Sequence, residues 1–551
     1  MAVQRDLAAL ANAAFDLLVI GGGVYGAAAA WDATQRGLSV ALVDKGDFGG
    51  ATSFNSAKTL HGGVRALQTG NIAELRQFVR ERRALSNIAP HLIQPLPFIV
   101  PTYDRLTRNR WLMRLYFAVN DLIAYDRNDV RDPALRLPGA RLLSRAECLT
   151  LSPSIDPTGV TGGIEWYDCQ MYNSDRVTLS FLLSATQNGA VIANYAEATG
   201  LTWDNGRLNG ACIRDSSGAT NHVDNQTVVV RARAVLNCAG PWAGELLATL
   251  APQAAGSLSR PLSKAMNLVT KRPLVETHAI GGPAAGRLLF IAPWRGHTIV
   301  GTSHDPFHGP VGTLTIGSAD VVRFLDEIHE AFPGADLQLA DISLVHRGLL
   351  PATNENGTTT LLKTSQIRNH EPDGVAGLVS VLGVRYTTAR ATAQRAVDTV
   401  FQVLGKTPPP CRTAITPLVG GDISDTSALL REAAATAPPH VTAATTVRLV
   451  RSYGTQYQQL LDQIGAQPSD AGRLGTDCDV TRGEVRHAVR AEMALTLEDA
   501  IFRRTEVASA GHPGQDALQS AAAVMAEELG WSAHRVKQEI ANAETALRIT
   551  D

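Results

Sequence analysis

The N-terminal part of the chain alternates short apolar runs with glycines and stretches of helical spacing. Residues 15–20 (FDLLVI) form an apolar run that ends at three glycines, which is typical of a buried parallel strand. Residues 27–35 are rich in alanine and predict a closely packed helix, and residues 38–43 (LSVALV) predict a second strand. A strand, a glycine turn, a helix and a strand within about 30 residues predict a βαβ unit.

Mixed helices and strands are predicted through the middle of the chain. Helical spacing recurs at residues 73–86, at 105–128 and within 168–189. Residues 227–237 (TVVVRARAVLN) predict a pair of strands. Single strands are predicted at 190–195, 288–292, 298–301 and 379–382.

The pattern changes after Lys406. A proline-rich connector (TPPPCRTAITP) follows, and beyond Asp425 the chain is dominated by Ala, Leu, Glu and Arg at helical spacing. We therefore expect an α/β fold in which a Rossmann-like nucleotide-binding domain is interleaved with an α+β substrate domain over residues 1–410. An all-α C-terminal domain is expected over residues 411–551.

Composition argues against several classes of protein. The 551 residues carry 50 Lys and Arg against 52 Asp and Glu, and a net charge of −2 does not favour nucleic-acid binding through bulk positive charge. The hydrophobic fraction of 45% is that of a globular protein, and no apolar run of about 18 residues predicts a membrane-spanning helix. The 6 cysteines form no CxxC pair, so we expect neither a disulfide framework nor a metal site. Together with the lack of a signal-peptide pattern, this predicts a cytoplasmic protein.

The glycines after the first strand carry the strongest chemical signal. Gly21, Gly23 and Gly26 fit GxGxxG between a predicted strand and a predicted helix. The first glycine allows the tight turn, the second lets the backbone approach a pyrophosphate, and the third lets helix and strand pack closely. Asp44 ends the second strand, where a carboxylate accepts hydrogen bonds from an adenosine ribose. The sequence therefore predicts a dinucleotide site, which the glycines alone do not assign to FAD or NAD.

The segment after Asp44 favours FAD. Residues 47–65 (DFGGATSFNSAKTLHGGVR) combine small hydroxyl side chains with glycines, which let the backbone pass close to a flat ring system. This segment resembles the ATSxxSSKLxHGGLR stretch of the FAD-dependent glycerol-3-phosphate dehydrogenases, within the D-amino-acid-oxidase-like flavoproteins. Later segments match the same family in order along the chain: ERRALSNIAPHLIQPL, NCAGPW, FIAPW, GTSHD, GVRYTTAR and DAIFRRT.

This resemblance implies FAD as the cofactor and hydride transfer to flavin N5 as the reaction. It implies oxidation of a small anionic alcohol, with glycerol 3-phosphate as the prototype, and passage of the electrons to quinone or another acceptor. The residues expected to contact the cofactor are Gly21, Gly23, Gly26, Asp44, Thr52, Ser53, Ser56, Lys58, Leu60, Gly240, Gly383, Arg385 and Thr387.

The family holds its substrate with cations near the flavin. Arg65 and Arg347 match two of its arginines, whereas Lys363 stands where the family has an arginine and Arg385 where it has a lysine. All four predicted substrate-binding positions thus keep a positive charge, but lysine and arginine are exchanged at positions 363 and 385. Arginine and lysine differ in hydrogen-bond geometry, so this exchange changes the expected anion site.

Two departures from the family fall next to the reacting carbon. Asn267 stands where the family has a histidine proposed as the base, and asparagine cannot accept a proton near neutral pH. Ala66 stands where the family has a tyrosine. We expect His346 to replace the base, with His304 or His61 as alternatives, and glycerol 3-phosphate to be a weaker substrate than a differently shaped anion. The predicted catalytic residues are Arg65, Arg347, His346 and Asn267.

Several alternatives stay open at the level of sequence. The substrate is alternatively a phosphonate, a hydroxy acid or an amino compound, and the alternative outside enzymes is a non-catalytic FAD-binding protein. Arg105, Arg108, Arg110, Trp111 and Arg114 belong to a basic, aromatic stretch that predicts peripheral contact with the inner face of the cytoplasmic membrane. The alternative there is a solvated helix packed on the core. A homodimer is a further open alternative.

Overall fold

The computed structural model describes residues 3–105, 108–218, 227–258, 260–284, 286–355, 358–438, 441–476 and 478–549. Its strands are β1 (Ala14–Ile20), β2 (Val40–Val43), β3 (Thr59–Leu60), β4 (Ile93–Tyr103), β5 (Arg141–Leu143), β6 (Val160–Met171), β7 (Val191–Ala193), β8 (Ala196–Asp204), β9 (Arg207–Asp215), β10 (Thr227–Asn237), β11 (Leu262–Thr270), β12 (Ala279–Ala284), β13 (Arg287–Trp294), β14 (His297–Phe307), β15 (Ile342–Glu355), β16 (Thr358–Leu361), β17 (Gln366–Asn369), β18 (Leu378–Leu382), β19 (Arg473–Gly475) and β20 (Cys478–Thr481). Its α-helices are α1 (Leu7–Asn12), α2 (Val24–Gln35), α3 (Ile72–Ile88), α4 (Arg110–Ile123), α5 (Arg145–Leu151), α6 (Ser174–Gln187), α7 (Ala243–Leu250), α8 (Ser318–Ala331), α9 (Ala389–Val403), α10 (Thr426–Thr436), α11 (Ala443–Tyr453), α12 (Tyr457–Ala466), α13 (Arg482–Glu492), α14 (Gln515–Leu529) and α15 (Ala533–Leu547).

The first sheet contains the predicted βαβ unit. Its strands run in the order β17, β18, β10, β1, β2 and β7, and β1 is parallel to both β10 and β2. Strand β1 is apolar and buried over residues 17–20 because helices cover both faces of the sheet. Helices α2, α6 and α9 pack on one face, and α1 and α7 pack on the other with the β8–β9 hairpin. The carboxyl ends of β1 and β10 therefore meet where α2 begins.

The second sheet is interleaved with the first along the chain, as predicted. Its strands run in the order β16, β15, β11, β14, β13, β12, β4, β6 and β3, and they pair antiparallel except for β12 with β4. Helix α8 buries Phe324 and Ile328 against this sheet. Strand β11 lies between β14 and β15, so that Asn267 is paired with Gly301 on one side and with His346 on the other.

The C-terminal part of the chain packs on the second sheet. Helices α13, α14 and α15 share one apolar core with Val269, Trp294, Ile299 and Leu344. This packing buries apolar faces of helices and sheet that neither could bury alone. Across the residues that the structure describes, no helix is long and apolar enough to cross a membrane.

Two local predictions differ from the structure. Residues 227–237 form the single strand β10, because its first half pairs with β9 and its second half with β1 and β18. The C-terminal part is helical but also contains the short hairpin of β19 and β20. Strands of three or four residues are too short for an alternating pattern to predict.

A buried ionic network joins the C-terminal part to the loop after β2. Asp47 accepts hydrogen bonds from Arg503 Nε at 2.5 Å and from Arg504 Nη2 at 2.6 Å. Arg503 also donates to Asp499 at 2.6 Å, and the Tyr195 hydroxyl donates to the same carboxylate at 2.7 Å. Burial opposes ionisation of Asp47, but the charges of Arg504 and Arg503 outweigh it and lower the pKa of this carboxyl below its ordinary value.

Replacing Asp47 with asparagine should destabilise the protein strongly. The variant leaves the buried Arg504 guanidinium without its acid, and we expect the free energy of unfolding to fall by about 3–5 kcal/mol. Because the folded pKa of Asp47 is depressed, its stabilisation is present above the ordinary carboxyl pKa and is lost as the pH falls. The advantage of the wild type over Asp47→Asn in urea unfolding should therefore shrink in acidic buffer.

The control for this prediction is Asp422→Asn. Asp422 pairs with Arg131 at 2.8 Å, and both side chains are exposed. Removing such a pair should change the free energy of unfolding by less than about 1 kcal/mol. If Asp47→Asn and Asp422→Asn lowered the free energy of unfolding equally, the buried network would not be the main contribution of Asp47 to stability.

Candidate functional site

The glycine turn after β1 brings two backbone segments into close contact. Gly21 has a φ of +106°, and a Cβ atom there would lie 2.5 Å from the Cys238 carbonyl oxygen. A Cβ atom on Gly26 would lie 1.9 Å from the Gly21 carbonyl oxygen. Gly23 caps α2 and faces a cavity, where its Cβ would meet only the Ser53 Oγ, at 3.2 Å. Gly21 thus forms the tight turn, Gly23 leaves open space at the cavity, and Gly26 allows the close contact between helix and strand.

Two side chains contact the free N–H groups at this turn. Ser53 Oγ accepts a hydrogen bond from Val24 N at 3.0 Å, at the start of α2. The Asp44 carboxylate accepts hydrogen bonds from Gly22 N at 2.6 Å and from Gly46 N at 2.9 Å. Burial raises the pKa of Asp44 to about 6. Backbone groups therefore orient this carboxylate at the wall of the cavity.

A cavity of about 1260 Å³ extends from this turn to the second sheet. It reaches from Asp44 past Gly23 to Asn267 on β11. A cavity of this extent, which begins at a helix N-terminus, fits a dinucleotide cofactor such as FAD, and Gly23 leaves room for a pyrophosphate beside α2. The predicted cofactor residues that line it are Gly21, Gly23, Asp44, Thr52, Ser53, Ser56, Gly240, Gly383, Arg385 and Thr387.

Gly26 lies at the helix–strand contact, and Lys58 and Leu60 do not line this cavity either, which corrects the predicted contact of these three residues with the cofactor. Lys58 is fully buried, and its Nζ donates to the Phe54 carbonyl oxygen at 2.6 Å and to Ser174 Oγ at 2.9 Å. Burial lowers the pKa of this ammonium group to about 8. Leu60 lies in the apolar core between the helices and the first sheet. Both residues therefore contribute to packing around the site.

A tyrosine that sequence reasoning missed connects the glycine turn with the late turn. The Tyr25 hydroxyl accepts hydrogen bonds from Val384 N and Arg385 N at 3.0 Å each, and it donates to the Arg385 carbonyl oxygen at 2.8 Å. A Cβ atom on Gly383 would lie 2.1 Å from the tyrosine ring. Tyr25 occupies a variable position of GxGxxG, so the motif gave no signal for it.

Arg65 and Arg385 are the predicted substrate cations that line the cavity. Arg65 Nη2 donates to the Leu288 carbonyl oxygen at 3.1 Å, and its guanidinium lies 5.4 Å from the centre of the Phe290 ring. Among the described residues, no acid forms an ion pair with Arg65. Arg385, in contrast, forms an ion pair with Glu74.

Arg347 and Lys363 lie outside the cavity lining, which corrects their predicted role in binding substrate. Lys363 is exposed. Arg347 is paired with Met266 of β11, whereas Asn267 is paired with His346. Because neighbouring residues of a strand face opposite sides of the sheet, the Arg347 side chain starts on the face away from Asn267, and its charge acts on Glu498 at the cavity wall.

Asn267 lines the cavity at the position where the resemblance predicts a histidine. Its Oδ1 accepts a hydrogen bond from Thr302 Oγ1 at 2.7 Å, and its Nδ2 donates to the Asn55 carbonyl oxygen at 3.4 Å. A carboxamide held in this way can orient a ligand by hydrogen bonds but cannot take a proton from it.

The structure does not place His346 where a base could reach the substrate. Its ring packs at 5.4 Å from the Phe54 ring and at 6.5 Å from the Trp294 ring, and it does not line the cavity. Burial holds the pKa of His346 well below its ordinary value. The two other candidates, His304 and His61, do line the cavity.

The cavity also has charged lining residues that the sequence did not assign to it. Glu498 and Arg503 come from the C-terminal part, and Arg503 belongs to the DAIFRRT segment that carried part of the resemblance. Arg287 at the start of β13 forms an ion pair with Glu327 of α8. No motif surrounds Arg287 in the sequence, so its position at the cavity became apparent only from the structure.

The chain matches known families and proteins over nearly its whole length. Residues 16–399 match the family model described as FAD dependent oxidoreductase, and residues 411–536 match the C-terminal domain of alpha-glycerophosphate oxidase. The glycerol-3-phosphate dehydrogenase of Synechocystis sp. is 28% identical over 551 residues, which cover 98% of this chain and 97% of that protein. Glycerol-3-phosphate dehydrogenase 2 of Mycobacterium bovis is 32% identical over 539 residues, or 96% of this chain and 87% of that protein.

The fold is shared with a solved structure. The glycerol-3-phosphate dehydrogenase from Bacillus halodurans, complexed with FAD, superposes with a TM-score of 0.75 at 24% identity and covers 98% of this chain and 96% of its own. This superposition supports the α/β fold and the helical C-terminal part, and the family match includes the glycine turn and the turn after β18. The chain therefore belongs to the FAD-dependent glycerol-3-phosphate dehydrogenase family.

Proposed function

We propose that this FAD-dependent oxidoreductase oxidises a small phosphorylated alcohol of the glycerol 3-phosphate type. When bound in this cavity, FAD would supply the acceptor for a hydride from the substrate carbon. The observation that carries the proposal is Arg65, a cation in the cavity that has no acidic partner among the described residues. The names of the relatives support the same class of substrate.

Arg65 is held in an orientation that suits an anionic ligand. Its contacts with the Leu288 carbonyl oxygen and the Phe290 ring orient the guanidinium, and within the described part of the chain no other group accepts from its remaining N–H groups. The side chain is exposed to the cavity, and desolvation by the surrounding protein lowers the pKa of Arg65. An anion bound beside it would favour the charged form and would itself gain a charge-assisted hydrogen bond.

Two residues favour a relative of glycerol 3-phosphate as the preferred substrate. Ala66 is small and lines the cavity, and Asn267 offers hydrogen bonds but no base. A phosphonate, a hydroxy acid or an amino compound would fit such a site, and an amine can enter already deprotonated. We propose that glycerol 3-phosphate is accepted but is not the best substrate.

Helix α4 supports a proposed membrane surface. Its inner side packs Phe117 against Trp166 with ring centres 4.9 Å apart, and the Tyr116 hydroxyl donates to the Val64 carbonyl oxygen. The large apolar side chains exposed on the helix and just after it are Trp111, Leu112, Leu115, Val119, Leu122 and Tyr125. With Arg110 and Arg114 beside them, they suit the interface of an anionic bilayer. We propose that the protein binds there peripherally and passes electrons to a quinone.

We also propose a division of the chain at residue 410. Residues 1–410 would carry the FAD and substrate sites, and residues 411–551 would form a helical unit that completes the cavity. The proposal is supported by Glu498 and Arg503, which belong to the second unit and line the cavity.

The first test measures reduction of the flavin without oxygen. Phosphorylated alcohols should bleach the bound flavin saturably, and a panel of phosphonates, hydroxy acids and amino compounds identifies the best substrate. Removal of a charge-assisted hydrogen bond in an enclosed site costs about 2–5 kcal/mol, so Arg65→Ala should lower kcat/KM roughly 30-fold to several thousand-fold.

Lys363→Ala is the matched control, because it removes one exposed cation that does not line the cavity. We expect Lys363→Ala to change kcat/KM by less than about threefold, in line with an exposed charge. An Arg65→Ala variant with wild-type kinetics would contradict the proposed role of Arg65. If no compound of the panel bleached the flavin, the non-catalytic alternative would be favoured.

The second test concerns retention of FAD. Gly23 has an ordinary φ of −70°, so Gly23→Val should fold, but its side chain would occupy space beside α2 that the pyrophosphate needs. We expect the flavin-to-protein absorbance ratio after gel filtration to fall at least about tenfold, while circular dichroism stays unchanged. Gly312→Val is the control, since nothing lies within 4 Å of its Cβ and it does not line the cavity. A folded Gly23→Val protein with full FAD content would refute the assignment.

The third test concerns the membrane surface. Leu115 and Leu122 are 61% and 75% exposed, and replacing both with glutamate should abolish flotation of the protein with vesicles that contain phosphatidylglycerol. Ile415→Glu is the control, because Ile415 is 68% exposed but lies in the connector far along the chain. Absence of flotation by the wild type at low salt, or equal loss in the control, would count against α4 as the membrane surface.

A further inference from the structure

We propose that Arg287 and His304 form, together with Arg65, the subsite that binds the anionic group of the substrate. This inference rests on the proposed oxidation of a phosphorylated alcohol and names the residues that would select the anion. The set predicted from the sequence contained Arg347 and Lys363 instead, which do not line the cavity.

The three residues converge at one end of the β13–β14 pair. Strands β13 and β14 pair antiparallel up to Phe290 and Gly301, and Arg287 and His304 both lie just beyond this end of the pairing, where the charge of Arg287 acts on His304. Arg287 begins β13, His304 lies near the end of β14, and both line the cavity. Arg65 reaches the same place from another part of the chain, because its Nη2 donates to the carbonyl oxygen of Leu288.

The protein itself leaves hydrogen-bonding groups of this cluster without partners. Arg287 pairs with Glu327 through Nη2, but its Nε has no hydrogen-bond partner among the described residues. His304 Nδ1 is likewise buried without a partner in the described part of the chain. These two atoms are shielded from the cavity, but both residues line it, and their other guanidinium and imidazole N–H groups can donate to the oxygens of a phosphate group.

The charges of the cluster also favour an anion. Among the residues that the structure describes, Glu327 is the one acid that forms an ion pair with either arginine, so the cluster keeps an excess of positive charge. Burial and the charge of Arg287 lower the pKa of His304 to about 4, although Asp305 opposes this shift. His304 is therefore neutral near neutral pH and can donate one N–H group to a ligand without adding a charge.

The test measures binding of inorganic phosphate to the FAD-loaded protein through the change in flavin absorbance. Arg287→Gln should weaken phosphate binding roughly 10- to 100-fold, as expected for loss of hydrogen bonds to a charged group. His304→Gln should weaken it less, by about two- to tenfold, because a neutral hydrogen bond is lost. Arg287→Lys keeps the charge but lacks the planar guanidinium, so its affinity for phosphate should lie between those of the wild type and Arg287→Gln.

The matched control is Arg323→Gln. Arg323 is exposed, contacts Asp305 and Asp320, and does not line the cavity. We expect its phosphate affinity to equal that of the wild type. The subsite would be overturned if the wild type bound no phosphate, or if Arg287→Gln and Arg287→Lys, with full FAD content, bound phosphate as the wild type does.

The same measurements separate this subsite from the proposed function. If the affinity for phosphate depends on Arg287 while no phosphorylated alcohol reduces the flavin, the subsite is supported and the proposed substrate class is refuted. If phosphorylated alcohols reduce the flavin while the affinity for phosphate does not depend on Arg287, the proposed function is supported and the proposed subsite is refuted.

Discussion

The whole site depends on a steric constraint at the start of α2. The Gly26 Cα lies so close to the Gly21 carbonyl oxygen that no side chain fits between them, and Gly21 itself lies against the backbone after β10. This contact lets α2 begin directly at the carboxyl ends of β1 and β10. The Tyr25 hydroxyl then reaches the backbone after β18, so one short turn positions two walls of the cavity.

The glycine turn was predictable because its chemistry is local in sequence. The order of strand, glycines, helix and acid predicts the βαβ unit, and the segment after Asp44 resembles one family closely enough to indicate FAD. Most of the predicted cofactor residues line the cavity for the same reason. Lys58 does not, because burial against Phe54 and Ser174 decides where its long side chain goes, and neither contact is visible in the motif.

The substrate end was harder to predict because it depends on strand register. The pairing of β11 with β14 is irregular between Met266 and Asn267, where β14 carries the extra residue Thr302, whereas the pairing of β11 with β15 is regular at this point. Asn267 faces the cavity, while the neighbouring Arg347 does not. Arg287 could not be found from the sequence, since no motif surrounds it and only the pairing of β13 with β14 brings it near His304.

The contact between Tyr116 and Val64 links helix α4 at the surface with the segment that carries Arg65 in the cavity. Tyr116 lies on α4, and its hydroxyl is bonded to the carbonyl oxygen of the residue immediately before Arg65. Burial raises the pKa of this hydroxyl to about 12, so it stays protonated and keeps donating. A displacement of α4 is therefore transmitted through one hydrogen bond to the backbone that carries Arg65. If binding to a surface shifted α4, thermodynamic reciprocity would require that this surface and a ligand held by Arg65 change each other's affinity by the same factor.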